Sequence, residues 1–386
     1  MTAHFLSGNR VQLLETGAEY FPALLAAIAA AREEVRIETY IFADDAVGRQ
    51  VAAALAAAAR RGVRVHLLVD GFGSRDFMAA LGEGLLAAGV EVLVFRPEVS
   101  LFKLRRHRLR RLHRKLVCID ARLAFVGGIN VIDDFDTPGQ KPPRYDFAVR
   151  LEGPLLAALH ETMRHLWALV RWTRLGKRPP PTPRPEVRAG SCGDVRAAFL
   201  VRDNLRHRRD IETAYLRAIN AANEEVFLAN AYFLPGRRFR HALMAAAQRG
   251  VKVSVLLQGR VEYRLLHYAS HALYGALLAA GVRIFEYQHS FLHAKVAVVD
   301  RHWATVGSSN IDPFSLMLAR EANLVVRNRG FARRLQGSLK RAKASGAVEM
   351  DREHWDRRPL LVRALHWLAY GLVRALIGLA GYGNSH

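Results

Sequence analysis

Two histidine–lysine pairs stand 180 residues apart in this chain. His113-Arg-Lys115 opens a run that continues through Asp120 to Gly127-Gly128-Ile-Asn130. His293-Ala-Lys295 opens another, through Asp300 to Gly307-Ser308-Ser-Asn310. Both follow His-x-Lys-x4-Asp-x6-Gly-x2-Asn, each marked residue of the second copy lying 180 positions beyond its mate. The four residues after each lysine, 116–119 and 296–299, are apolar or nearly so and read as buried strands. Residues two apart on a strand share a face, so each imidazole projects beside an ammonium. Such a neighbour repels a metal ion and favours an anion. Neutral imidazole can attack phosphorus, while lysine, asparagine and glycine-rich backbone N–H groups steady charge on phosphate oxygens. Two histidines at one site permit a two-step reaction. One becomes a phosphohistidine; the other protonates the leaving alcohol and then acts as base toward the next acceptor. This requires the two halves of the chain to pack face to face.

The elements that must position these residues repeat as well. Glu33-Glu34-Val35 is echoed by Glu224-Glu225-Val226, Arg61-Gly62-Val63 by Arg249-Gly250-Val251, and Ala88-Gly89-Val90 by Ala280-Gly281-Val282. Each half reads strand, Ala-rich helix, Gly-Val strand, helix, Gly-Val strand, then motif. That alternation predicts an α/β fold of two pseudo-symmetric α/β/α lobes, each with a mixed sheet and with the active site at their interface. The expected divisions are an N-terminal lobe over residues 1–173, a Pro-rich linker over 174–190, a C-terminal lobe over 191–350 and an amphipathic tail over 351–386. The offset between halves falls from 192 to 180 before the motif, so the first half holds 12 extra residues within 100–112. These are strongly basic with spaced Leu and Phe. They suit a clamp for an anionic surface, a solvated charged helix being the alternative.

The paired motifs resemble those of the phospholipase D superfamily. Longer stretches, His293 to Pro313, the following Ser-Leu-Met-Leu-Ala-Arg-Glu-Ala-Asn, and Asn230-Ala-Tyr-Phe-Leu-Pro-Gly236, are similar to bacterial cardiolipin synthases, the B-type most closely. The resemblance implies a covalent phosphatidyl-histidine intermediate with no metal and no other cofactor. It makes His113 the nucleophile and His293 the general acid, with Lys115, Lys295, Asn130, Asn310 and Ser308 around the phosphate. Asp120 and Asp300 complete the catalytic motifs but are better suited to bracing strands and loops than to touching substrate. The family also places an acid after each motif to orient a histidine. Asp146 and Glu321, each just before an apolar run, are the matching positions. One departure stands out: Ser308 has Gly128 as its counterpart, so the first half lacks that hydroxyl and the halves are not equivalent.

Fifty-seven Lys and Arg against 35 Asp and Glu give a formal net charge of +22 and predict an anionic partner. The partner implied is anionic phospholipid, phosphatidylglycerol, at a membrane surface; the oligomeric state is left open. Cys118 and Cys192 form no metal cluster and no disulfide framework. Residues 1–14 do not read as a signal peptide, and no clean span of about 20 apolar residues occurs. The stretch 360–382 comes nearest, but Arg363, His366 and Arg374 interrupt it. It reads as a helix lying on a membrane, or else packed on a lobe. The expected location is the inner membrane, peripheral or monotopic, on the cytoplasmic side. The leading function is phosphatidyl transfer between phospholipids, releasing glycerol when phosphatidylglycerol is donor. Hydrolysis by a phospholipase D or nuclease-type phosphodiesterase is the alternative. Nucleic acid is disfavoured, because no aromatic stacking platform accompanies the basic run.

Overall fold

The computed structural model describes residues 3–97, 110–137, 139, 141–176, 190–203, 207–261, 263–312 and 319–377. The strands of the first half are β1 (Leu6–Glu15), β2 (Glu34–Thr39), β3 (Arg64–Asp70), β4 (Glu91–Phe95), β5 (Arg111–Leu112), β6 (Lys115–Ile119), β7 (Leu123–Gly127), β8 (Arg144–Tyr145) and β9 (Phe147–Glu152). Those of the second half are β10 (Val195–Arg202), β11 (Glu225–Asn230), β12 (Lys252–Gln258), β13 (Arg283–Tyr287), β14 (Phe291–Leu292), β15 (Lys295–Val299), β16 (Trp303–Gly307), β17 (Ala319–Arg327) and β18 (Ala347–Glu349).

The apolar runs after the motif lysines become β6 and β15, central strands because nothing in them needs water. β2, β3 and β4 are parallel, and β6 joins β2 antiparallel. β11, β12, β13 and β15 repeat that arrangement. The glycines before the Gly-Val strands end helices in the left-handed conformation: Gly62 and Gly89 at φ +87° and +90°, Gly250 and Gly281 at +90° and +89°. The mixed sheets of the two halves are joined by antiparallel pairing of β1 with β10 into one continuous path, with β1 also paired to β9 and β10 to β17. The core runs across the same seam. Leu116, Val126, Phe147 and Val149 of the first half lie in one buried cluster with Phe227, Val296, Val306 and Leu324 of the second. Helices Leu156–Leu175 and Arg329–Gly346 contribute Leu159, Met163, Leu335 and Leu339 to it. Separate clusters hold the outer helices of each half against their own strands.

The helix Leu156–Leu175 runs two residues past the expected lobe boundary, ending at Gly176 in the left-handed conformation. Residues 177–189 of the Pro-rich linker and 100–109 of the basic insert lie outside the described residues. The tail forms a helix, Leu360–Ile377, one face of which packs on the second half. Ala369 and Val373 are buried with Leu234, Ala269 and Leu273 of the second half. On its other sides Leu360, Leu361, Leu365, Trp367, Leu368, Leu372 and Leu376 are exposed. Among the described residues no helix is long and apolar enough to cross a membrane.

Candidate active site

Each motif histidine lies between a two-residue strand and a motif strand, and each short strand crosses to the other half. β5 runs parallel to the start of β17, with Leu112 opposite Arg320, and the His113 N–H donates to the Arg320 carbonyl at 3.0 Å. β14 runs parallel to β8, with Leu292 opposite Tyr145, and the His293 N–H donates to the Tyr145 carbonyl at 2.9 Å. The next residues on those partner strands are the acids. His113 Nδ1 therefore meets the Glu321 carboxylate at 3.0 Å, and His293 Nδ1 meets Asp146 Oδ2 at 2.6 Å. The pairs are crossed: each half supplies the acid for the histidine of the other. With Nδ1–H donated to a carboxylate, Nε2 of each ring carries the lone pair that can attack phosphorus or accept a proton.

The lysines sit beneath the rings. Lys115 and Lys295 each donate from Nζ to the carbonyl of the histidine two residues earlier, and Lys295 Nζ lies 3.5 Å from Asp146 Oδ2. Burial lowers the Lys115 pKa to about 7, with Lys295 adding repulsion and Glu321 and Asp146 opposing it. Burial, then Lys295 and Lys115, hold His293 down to about 3 despite Asp146. Burial would raise Asp146, but Lys295 and His293 outweigh it and keep the carboxyl below its usual range. The resting site thus pairs an ionised Asp146 with a neutral His293. Burial and the mutual repulsion of the two lysines depress Lys115 and His293, and a phosphate between them would relieve that repulsion.

Ser308 donates its hydroxyl to Glu321 and accepts from the Ala322 N–H at 3.1 Å, so it fixes the longer acid. In the first half a Cβ at Gly128 would stand 2.4 Å from Asp146 Oδ1. The shorter acid occupies the space that a serine side chain would need, which accounts for the Gly–Ser difference between motifs. Asn130 and Asn310 are buried just past the hairpins β6–β7 and β15–β16, and Asn130 Oδ1 accepts from the Ile41 N–H at 3.1 Å.

Asp120 and Asp300 are not brought to this centre. They follow the far ends of β6 and β15 at φ +51° and +47°. Asp120 accepts from the N–H groups of Arg32, Glu33 and Glu34, and Asp300 from those of Asn223, Glu224 and Glu225. Each binds the turn that starts β2 or β11, so their place in the catalytic set is corrected to that of braces. One neighbour escaped the sequence reading. The Tyr40 ring lies 4.9 Å from the His113 ring, and Lys115 Nζ sits 5.4 Å from its centroid. Its repeat counterpart is Ala231, so the internal repeat carried no signal for it. Among the described residues no three His, Cys, Asp or Glu side chains group as metal ligands do.

A histidine–lysine centre assembled from two pseudo-symmetric halves is the arrangement of phospholipase D-like proteins. A family described as "Cardiolipin synthase, PLD-like domain" matches residues 24–134 and 215–343. Cardiolipin synthase B of Escherichia coli (strain K12) is 39% identical over 390 residues, covering 100% of this chain and 93% of that protein. Cardiolipin synthase A of Yersinia pseudotuberculosis is 33% identical over 373 residues, 95% of this chain and 75% of that one. The chain belongs to the cardiolipin synthase family. A crystal structure of phosphatidylserine synthase from Haemophilus influenzae Rd KW20 shares the fold at TM-score 0.69 and 12% identity, covering 96% of this chain and 95% of that chain.

Proposed function

We propose that the protein is a cardiolipin synthase that moves a phosphatidyl group from one phosphatidylglycerol to another. What carries the reading is the crossed pair of histidines, each with its Nδ1 held by an acid and its Nε2 available, above two buried lysines. The donor phosphodiester lies between Lys115 and Lys295, with Asn130 and Asn310 steadying its oxygens. Its negative charge offsets the repulsion that, with burial, holds His293 low, so His293 gains a proton as substrate enters. Nε2 of His113 attacks phosphorus, the bond from phosphorus to the glycerol oxygen breaks, and His293 gives its proton to that oxygen. Glycerol leaves. A hydroxyl of the second lipid then gives its proton to His293 as its oxygen attacks phosphorus, and the bond to His113 breaks. Glu321 and Asp146 hold the ring tautomers through both steps.

The reaction takes place on the inner membrane, at its cytoplasmic side. The exposed leucines of Leu360–Ile377 and the net charge of +22 both suit an anionic bilayer surface. The test is product analysis of the purified full chain on phosphatidylglycerol vesicles. Cardiolipin and glycerol in equal amounts are expected. Phosphatidic acid as the sole lipid product would replace this reading with a phospholipase D, and degradation of DNA without lipid turnover would replace it with a nuclease.

A further inference from the structure

Beside the second motif lies a small cleft, lined among others by Tyr232, Gln258, Arg260, Tyr263, Ser270 and Asp312. Its walls are tied to the catalytic strands. The Ala231 N–H donates to the carbonyl of Ala294, between His293 and Lys295, at 2.9 Å, and Asp312 follows Asn310 by two residues. Across the lobe interface Tyr263 interacts electrostatically with Tyr40, whose ring packs on His113. The cleft therefore lies beside the segment that carries His293 and Lys295.

Gln258, the last residue of β12, is 8% exposed, yet neither its amide oxygen nor its amide nitrogen meets a hydrogen-bond partner among the described residues. Leaving both ends of a buried amide unpaired forfeits the hydrogen bonds that water would give it, so such a group calls for an explanation. The internal repeat supplies a control. Arg61-Gly62-Val63 and Arg249-Gly250-Val251 are 188 residues apart, and the same offset places Asp70, the last residue of β3, opposite Gln258. Asp70 is fully engaged: Oδ2 accepts from the Leu112 N–H at 2.8 Å, and Oδ1 from the N–H groups of Phe72 and Gly73 at 2.9 and 3.2 Å. One half closes this position with its own backbone, and the other leaves it open at the carboxyl end of a parallel strand, where α/β folds bind ligands.

We infer that Gln258 is the recognition group of an alcohol subsite that accepts a polyol headgroup, the glyceryl group that leaves as glycerol and then that of the lipid that attacks. A deepening of the transferase reading, it rests on that reading. Vicinal hydroxyls present a donor and an acceptor on adjacent carbons, which match the amide oxygen and the amide nitrogen of Gln258. In the leaving glycerol the remaining oxygen is the one that parts from phosphorus and takes its proton from His293; in an attacking phosphatidylglycerol, which has two free hydroxyls, one hydroxyl and the neighbouring ester oxygen face Gln258 while the other gives its proton to His293. Because leaving and entering alcohols pass through one position, a single subsite serves both. Arg260 places a cation on the same wall, suited to the phosphate carried by an acceptor lipid.

The test sets two acceptors in competition for one phosphatidyl-enzyme. The full chain in mixed micelles is given the p-nitrophenyl ester of a short-chain phosphatidic acid, with glycerol and 1-propanol at equal concentration. Phosphatidylglycerol and phosphatidylpropanol are measured by mass spectrometry. The unaltered protein should favour glycerol by about tenfold or more, and Gln258→Leu should bring the ratio close to one, as loss of paired hydrogen bonds to a substrate hydroxyl does. The ratio is internal to each sample, so partial folding does not obscure it; Gln258→Met, unbranched and of similar length, serves if the leucine variant does not fold. No preference in the unaltered protein, or a preference that survives both substitutions, overturns the subsite. Release of nitrophenol with phosphatidic acid as the sole lipid product overturns the transferase reading itself, and the subsite with it.

Discussion

The crossed acids should separate the two chemical steps, and the substitutions to use are Asp146→Asn and Glu321→Gln. Each keeps the side chain's shape and removes its charge. Asp146 lies 2.6 Å from His293 Nδ1 and Glu321 lies 3.0 Å from His113 Nδ1. At an effective dielectric of about 20, opposite unit charges at such distances attract by roughly 5–6 kcal/mol, the most that either imidazolium could lose. Neutralising the acid of an acid–histidine pair in another enzyme class costs on the order of 10⁴ in turnover. A loss of about a thousandfold in cardiolipin formation is therefore expected for each variant. The assay that tells them apart is rapid mixing with a p-nitrophenyl phosphatidyl ester, whose leaving group needs no general acid. Asp146→Asn should keep the initial burst of nitrophenol, since His113 and Glu321 are intact, and then stall with phosphatidyl-enzyme accumulated. Glu321→Gln should lose the burst, because the nucleophile is held in the wrong tautomer. The opposite pattern would exchange the roles of the two histidines. A loss below tenfold in both would refute the claim that these acids orient them.

Three further outcomes follow from the geometry. Lys115 titrates near pH 7 in the free protein and loses its charge above it, so kcat/KM for an anionic donor should fall above about pH 7. In the complex the phosphate raises that pKa, so kcat should hold to higher pH; parallel profiles for kcat and kcat/KM would contradict this. Truncation after Asp356 should weaken vesicle binding and leave what remains sensitive to salt, because the exposed leucines of Leu360–Ile377 are gone and only screened charge is left; unchanged sedimentation with anionic vesicles in high salt would count against it. Asp120→Ala strands three backbone N–H groups and should cost about 2–4 kcal/mol in denaturant unfolding, whereas a large loss of turnover at unchanged stability would return Asp120 to the chemistry.

Much of the architecture could be read from the sequence, because the repeat reports on local structure. Val65 and Val253, or Lys115 and Lys295, sit in matched strands since the same apolar and glycine spacing makes the same element twice. The spacing is silent on what faces what. Asp146 and Glu321 were found as matched positions, yet nothing in either half's own pattern says that its acid serves the other half's histidine. That depends on β5 and β14 crossing the interface. Asp70 and Gln258 occupy the same place in the repeat, but whether the position is closed depends on where the chain returns at Leu112. Asp120 and Asp300 show the converse: a motif residue can be marked by its spacing and still serve only to hold a turn.

The exchange of acids between halves also sets a condition on how such a chain can be divided. A half cut away on its own carries a histidine with no carboxylate to fix its tautomer and a carboxylate with no histidine to hold. Two copies of one half, placed about the same pseudo-two-fold axis, would restore both pairs at once. Competence is therefore a property of the pairing and of neither half, and a substitution near Asp146 or Glu321 is felt first by a ring that lies on the other side of the seam.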